Sequence, residues 1–421
     1  MTVKRKKVTK VHYRHSRRKA PGEHLRSLRG RFPSVSKSGV KSGVKSGTKA
    51  RSGSRTRPGA GRKHASSKKS TLSAAQARSR RIKAISCIVG ALVIAALVFF
   101  HVNTHPNQIG DGGYTHAAKF SDRIAVNGID VSYVQGPGIN WRKVKKSGVD
   151  FVFIRAGYRM SESGKIDKDS TFDTNVRHAK AAGLMVGAYF YSQATSVKEA
   201  KAEANKLTEY VGDNEMDLPL VMDFETLQGG RLEKYLNKKK TTKARVDKIL
   251  LAFCSTVKKQ GYEPAVYANY NMLSYYMNAD KIAQHADVWL AHYADSTDYP
   301  NDYTFWQSSY EMKVNGIKNE VDRDFWYLDP DGMTTRGARN DGARSIADCT
   351  ISLRKHSYYA LGRPVEPKVI VKYNRKRLKE GRDYRVGYIK NSAPGKAYAV
   401  VTGIGDYKDM KATGFRIKSI I

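Results

Sequence analysis

Cysteine is scarce in this chain of 421 residues: only Cys87, Cys254 and Cys349 occur. Three widely separated thiols make no disulfide framework and have no metal-ligand spacing, so disulfide-stapled and zinc-stapled scaffolds are excluded. A Cys254–Cys349 bridge is conceivable outside a cell, but two inert thiols are the expectation. Acidic residues are also short, 38 Asp and Glu against 76 Lys and Arg. The shortage is extreme in residues 1–83, where 27 Lys and Arg face the single acid Glu23, so +26 of the formal +38 lies there. Catalytic signatures are missing too. No G-x-S-x-G elbow, H-E-x-x-H helix or phosphate-binding glycine loop occurs, and His178, His285 and His292 lack ligand spacing.

What residues 1–83 do contain is Ser, Gly, Lys and Arg, including the near-repeat KSGVKSGVKSGTK from Lys37 to Lys49. Such a composition buries too little apolar surface to offset chain entropy, and the segment reads as a disordered basic tail. Its charge suits a nucleic acid or an anionic membrane face. The near-absence of aromatics to stack on bases favours the membrane and leaves any nucleic-acid affinity nonspecific.

Residues 84–102, AISCIVGALVIAALVFFHV, carry no charge and are about long enough to cross a hydrocarbon core of roughly 30 Å. A signal peptide is the competing reading, but some eighty residues before the apolar run are too many and no clear small-residue cleavage site follows. The expectation is a single-pass cell-membrane anchor with the basic N-terminus cytoplasmic and everything after it extracellular. Gly90 alone is too little to suggest helix pairing in the span.

After a polar stalk at 103–121, strand-like and helix-like patterns alternate. Apolar runs near 124–131, 151–158, 184–191, 218–225, 265–270, 288–293, 303–308 and 320–325 alternate, in the earlier part, with helical patterns at 141–146, 172–182, 197–210 and 244–260. Eight candidate strands in strand–helix–strand units predict an α/β fold, an irregular TIM-like β/α barrel over 122–328. The last three strands leave little room for helices. A linker at 329–346 then leads to short β-like runs over 347–421, which read as a small all-β sandwich.

The stretch LPLVMDFE, residues 218–225, ends an apolar strand in two carboxylates, Asp223 and Glu225, which alternation puts on one face. Asp130 closes VNGID and Asp322 lies in NEVDRD, so a barrel would gather all four acids on one rim. One such acid alone reads equally well as a helix cap or a surface ion pair; four with aromatics at matching positions point to a site. Carboxyls that share a pocket cannot all ionise alike, which separates an acid role from an anion or base role. The aromatic candidates are Tyr158, Tyr189, Tyr191, Tyr293 and Trp306, while Trp289 reads as core. Rings beside acids suit sugars, whose faces are apolar and whose edges carry hydroxyls.

The ordered series NGIDVS, INWRKVKKSGVDFVFIRAGYR, AAGLMVGAYFYS, LPLVMDFE, GYEPAVYANYN, VWLAHY, FWQSS and VD resembles the family 25 glycoside hydrolases, bacterial and phage N-acetylmuramidases, over residues 124–327. The resemblance implies an irregular β/α barrel that hydrolyses the β-1,4 bond between N-acetylmuramic acid and N-acetylglucosamine in peptidoglycan. It implies Glu225 as general acid, Asp223 as its partner, Asp130 and Asp322 as supporting acids, and no metal or organic cofactor. Asp223 has three roles open to it: nucleophile, base for water, or orienter of the substrate's own N-acetyl group, which the resemblance favours.

Residues 349–418, with PVEPKVIVKYN, LKEGRDYRVGY and GKAYAVVTGIGDY in order, resemble the small Ig-like repeats of Gram-positive surface proteins. The implied role is a spacer or a module whose basic surface meets anionic wall polymers. The whole then reads as a membrane-anchored enzyme of wall remodelling. The alternative of another class is a non-catalytic wall-binding or scaffold protein, against which the presence of all four acids counts.

Overall fold

Residues 113–330 and 342–420 are described by a computed structural model. The expected basic tail and membrane span lie outside the described residues. Among the described residues no helix is long and apolar enough to cross a membrane.

Strand β1 (Ile124–Val131) leads through α1 (Trp141–Lys146) to β2 (Phe151–Arg159), from which a short β3 (Ile166–Lys168) folds back. There follow α2 (Phe172–Ala181), β4 (Met185–Ser192), α3 (Val197–Val211) and β5 (Leu220–Phe224). Helices α4 (Arg231–Leu236) and α5 (Lys243–Lys259) precede β6 (Pro264–Asn269), and α6 (Tyr270–Tyr275) and α7 (Ala279–Ala283) precede β7 (Asp287–Ala291). Strands β8 (Phe305–Met312) and β9 (Val321–Leu328) come last, with no helix before either.

The sheet order β1-β9-β8-β7-β6-β5-β4-β2, with β1 paired back to β2, closes an eight-stranded barrel. Seven strands run parallel. The eighth, β9, is antiparallel to both β1 and β8, which is where the barrel departs from repeated strand–helix–strand units. The cause is chain length: the connection from Met312 to Val321 is too short for the crossover helix that a parallel strand requires.

Alternation sorts the wall residues into two cores. Phe151, Phe153, Val221, Ala265, Trp289, Phe305 and Trp326 fill the lumen, whereas Ile129, Val152, Ile154, Val186, Val266 and Leu290 pack outward under the helices. Gly128 is forced by this packing, because a Cβ there would come within 2.2 Å of the Phe151 ring. The stalk expectation is corrected at its end. From Gly113 on, the segment packs on the barrel: Phe120 stacks on Tyr327 at 3.7 Å and His116 Nδ1 lies 2.9 Å from the Tyr327 hydroxyl.

The described C-terminal residues form strands only, apart from one 3-10 turn (Ile346–Asp348). A four-stranded sheet of Ser357–Tyr359, Tyr384–Ile389, Gly395–Gly403 and Met410–Lys418 and a three-stranded sheet share the core of Ile346, Val371, Ala397, Ala399, Val401 and Phe415. The unit starts within the expected linker, since Ile346 is fully buried in that core. Nor does it stand apart. Its Ile389, Val400 and Met410 join the lumen core at the amino-terminal ends of the barrel strands, closing the barrel floor. Cys254 and Cys349 are free and buried, as the inert-thiol reading expects, and burial pushes the Cys254 thiol up to about 12.

Candidate active site

The opposite end of the barrel gathers the acids. Asp130 comes from the end of β1, Asp223 from the end of β5, Glu225 from the first residue beyond that strand, and Asp322 from the start of β9. Asp322 reaches the carboxyl-end rim because its strand is reversed, and it pairs directly with Asp130 in the β1–β9 register. The four expected acids thus come together, by a route different from the expected one.

The electrostatics follow from crowding. Burial, with repulsion from Asp130, pushes Glu225 up to about 7, against the pull of Arg155. Burial also lifts Asp130 to about 6, restrained by hydrogen bonds from Gln307, Asp324 and Tyr189 and by the charge of Arg155. Asp223 is held well above the usual carboxylate range by burial first and then by Glu225 and Asp130; Asp322 is raised likewise by burial, Asp130 and Glu225. Protons are retained because anions crowded in a desolvated pocket raise one another's energy.

Arg155, on β2, is the cation that acts on Asp130, Asp223 and Glu225. It is fixed from below by Asp169, 2.9 Å from Nε and 2.8 Å from the terminal nitrogen, and its guanidinium lies against the rings of Tyr133 and Tyr158 at 4.8 and 5.1 Å. One guanidinium already paired to Asp169 leaves the pocket acidic overall.

Of the five expected aromatics, four line the site. Tyr189 is buried in the lumen and hydrogen-bonds to Asp130. Tyr191 stands half-buried near Glu225 and Asp223, which together with burial raise its hydroxyl well above its ordinary value. Tyr158 sits over Arg155. The ring of Tyr293 is 38% exposed at the mouth while its hydroxyl donates to Gln307 Oε1 at 2.9 Å. Trp306 is the correction. It is wholly buried in the outer core, where its indole N–H donates to the His292 carbonyl at 2.8 Å, because strand alternation turns it away from the lumen. Trp289 fills the lumen as expected, and its indole N–H also donates to Asp324.

Sequence reasoning missed Arg155, Tyr267, Gln307 and Asp324. Gln307 is the hub: Oε1 accepts from the hydroxyls of Tyr267 (2.7 Å) and Tyr293, and Nε2 donates to Asp130 Oδ2 at 2.7 Å. The signal was available, since Gln307 follows Trp306 and therefore faces inward. Among the described residues no group of three or more His, Cys, Asp and Glu is arranged to hold a metal ion. Chemically the cleft offers a protonated carboxyl at its rim, anionic capacity at its base and aromatic walls, an arrangement suited to acetal hydrolysis.

Known proteins resemble this chain in sequence. The family model for glycosyl hydrolases family 25 matches residues 129–317, a span that stops short of Asp322 and Asp324. Lysozyme M1 of Streptomyces globisporus is 30% identical over 238 residues, covering 53% of this chain and 76% of that protein. The autolytic lysozyme of Clostridium acetobutylicum is 27% identical over 202 residues, and the chain spans 55% of its length. A bacterial lysozyme structure from Streptomyces coelicolor is 27% identical, covering 48% of this chain and 92% of that one, with a TM-score of 0.41, too low to bear on the assignment.

Proposed function

The chain belongs to glycosyl hydrolases family 25, and from that membership and the cleft we propose that it is a muramidase, hydrolysing the β-1,4 bond between N-acetylmuramic acid and N-acetylglucosamine in peptidoglycan. The observation that carries this reading is Glu225 at the barrel mouth, pushed up to about 7 beside three further carboxyls. A group with that affinity for its proton is still about half protonated at neutrality and can deliver it to a leaving sugar oxygen.

Asp223 then faces the other side of the reaction. Its Oδ1 is buried with no hydrogen-bond partner, and its proton is held firmly. Such a carboxyl is a poor nucleophile, which favours orienting the substrate's 2-acetamido group, with Oδ1 as the acceptor for the acetamido N–H. Asp130, the least raised of the four carboxyls, supplies negative charge toward the developing oxocarbenium ion, with Asp322 beside it in the β1–β9 register. Tyr158, Tyr191 and Tyr293 are placed to contact sugar faces, and Tyr189 holds Asp130.

Residues 84–102 are read as a single-pass anchor with the basic tail at the anionic inner face of a cell membrane, supported by the uncharged run and the Lys and Arg that precede it. That would set the enzyme to work on a wall close to the membrane. The C-terminal strands are read as an Ig-like unit whose basic surface faces anionic wall polymers; its docking on the barrel floor argues against a freely moving spacer.

The test is release of reducing ends. The full chain should generate new muramic acid reducing ends from peptidoglycan, identified by mass analysis of the muropeptides, and Glu225→Gln should lower the rate about 10²- to 10⁴-fold. Equal peptidoglycan binding by wild type and Glu225→Gln, with neither cutting, would select the scaffold reading instead.

A further inference from the structure

Asp324 is a fifth carboxyl in the cleft, one pleat deeper than Asp322 on the same strand. It is fully buried. On one side it pairs in register with Gly128, two residues before Asp130 on β1; on the other it pairs with Gln307 of β8. Gln307 therefore reaches across β9, past Asp324, to donate to Asp130.

The two oxygens of Asp324 differ. Oδ1 accepts the indole N–H of Trp289 at 2.9 Å, whereas Oδ2 is buried and receives no hydrogen bond from any donor. A proton on that oxygen would make it a donor, and Asp130, diagonal to it across the β1–β9 register, is the carboxylate whose anion such a contact favours. Two carboxylates cannot hydrogen-bond to each other; one must hold a proton. The groups acting most strongly on Asp324 are burial, Asp130 on β1, Asp322 on its own strand and the Trp289 donor on β7, and Arg155 on β2 acts on Asp130. An anion at Asp324 would thus be buried with one neutral donor and two acidic neighbours, an arrangement that disfavours the charged form.

We propose that Asp324 is a proton-bearing positioning residue: its carboxyl O–H donates to Asp130, and with Gln307 it clamps Asp130 as an oriented anion facing the sugar. The clamp spans three strands and uses no charge of its own. It assigns opposite protonation states to two aspartates that the sequence alone cannot distinguish. The inference rests on the muramidase reading for its catalytic consequence, though not for its chemistry.

Asparagine imitates a protonated aspartate, since its amide oxygen can accept from Trp289 and its NH₂ can donate to Asp130. Asp324→Asn should therefore keep kcat within about threefold of wild type, whereas Asp324→Leu, of similar size but with no donor, should lose about 10- to 100-fold through a misplaced Asp130. The Leu variant should also move the acid limb of the kcat/KM profile to higher pH, because Asp130 loses a donor that stabilises its anion. Difference infrared spectroscopy of the full chain at neutral pH gives a readout independent of activity: the C=O stretch of a buried protonated carboxyl should be present in wild type and lost in Asp324→Asn. A fall in the Asn variant as deep as in Leu, or an infrared difference lacking the protonated band, overturns the proposal. Should the wild type prove unable to cut peptidoglycan, the function fails, and the infrared difference still decides the state of Asp324.

Discussion

Lys145 at the end of α1 lies 2.8 Å from Asp150 Oδ1, both side chains almost wholly buried, and the same ammonium donates at 2.8 Å to the backbone carbonyl of Tyr388 in the C-terminal unit. Asp150 Oδ2 in turn accepts from the backbone N–H of Lys390 at 2.8 Å. One ion pair therefore satisfies polar groups of both the barrel and the strands that cover its floor. Nearby, Gly387 passes so close to Met185 that a Cβ there would meet its Cγ at 3.0 Å.

Removing half of a buried pair strands the other half. Lys145→Met should cost about 3 to 5 kcal/mol, read as a lower denaturant midpoint, and should increase protease cleavage within residues 342–420. A loss under about 1 kcal/mol would mean that the floor contact contributes little.

The pH profile follows from the site carboxyls. Catalysis that needs Asp130 ionised and Glu225 protonated rises as pH passes about 6 and falls as it passes about 7, where these groups titrate. The kcat/KM profile should be a narrow bell between those values. Activity that continues to climb through pH 8 would remove Glu225 from the acid role.

The same raised proton affinities make the site a cost to stability. The folded protein holds the Glu225 proton up to about 7, above the ordinary glutamate value of 4.5. Stability is therefore highest below the unfolded value and falls as pH rises through the folded one. Glu225→Gln, which removes that charge, should stabilise the fold by on the order of 1 to 3 kcal/mol at pH 8 and by nothing measurable at pH 4. Thermal unfolding at both values checks it. A variant less stable than wild type at pH 8 would show that the carboxylate is compensated in the fold.

Much of this was legible in the chain. The i, i+2 spacing of Asp223 and Glu225 put both at one mouth, and the expected helix 141–146 coincides with α1 (Trp141–Lys146). Strand parity was the point of failure. Taking Trp306 as the sugar contact instead of Gln307 is an error of one residue, and on a strand one residue exchanges lumen for outer layer. The reversed direction of β9 was implicit in the short 313–320 connection. Arg155 escaped notice because a single basic residue within an apolar strand gives no pattern. Its role depends on Asp169, fourteen residues away, and on carboxyls delivered by two other strands, β1 and β5. The closed floor could not be read from either segment alone, since Ile389, Val400 and Met410 carry ordinary strand alternation whichever neighbour covers them.

Asp223 yields the sharpest expectation about substrate. Its Oδ1 is buried and lacks a partner, an arrangement that costs about 1 to 3 kcal/mol unless a ligand completes it. An acetamido N–H supplies the missing donor, and the acetamido oxygen can then attack the anomeric carbon as the leaving oxygen takes the proton of Glu225. Two displacements at one carbon leave its configuration unchanged. Peptidoglycan whose muramic acid has been de-N-acetylated should therefore resist cleavage by at least about 10²-fold, and Asp223→Asn should reduce kcat far more than KM. Proton NMR of the first-formed products should show the β-anomer. Rapid cleavage of the deacetylated wall with the β-anomer still first would assign Asp223 to direct attack, and an α-anomer appearing first would assign it to activating water.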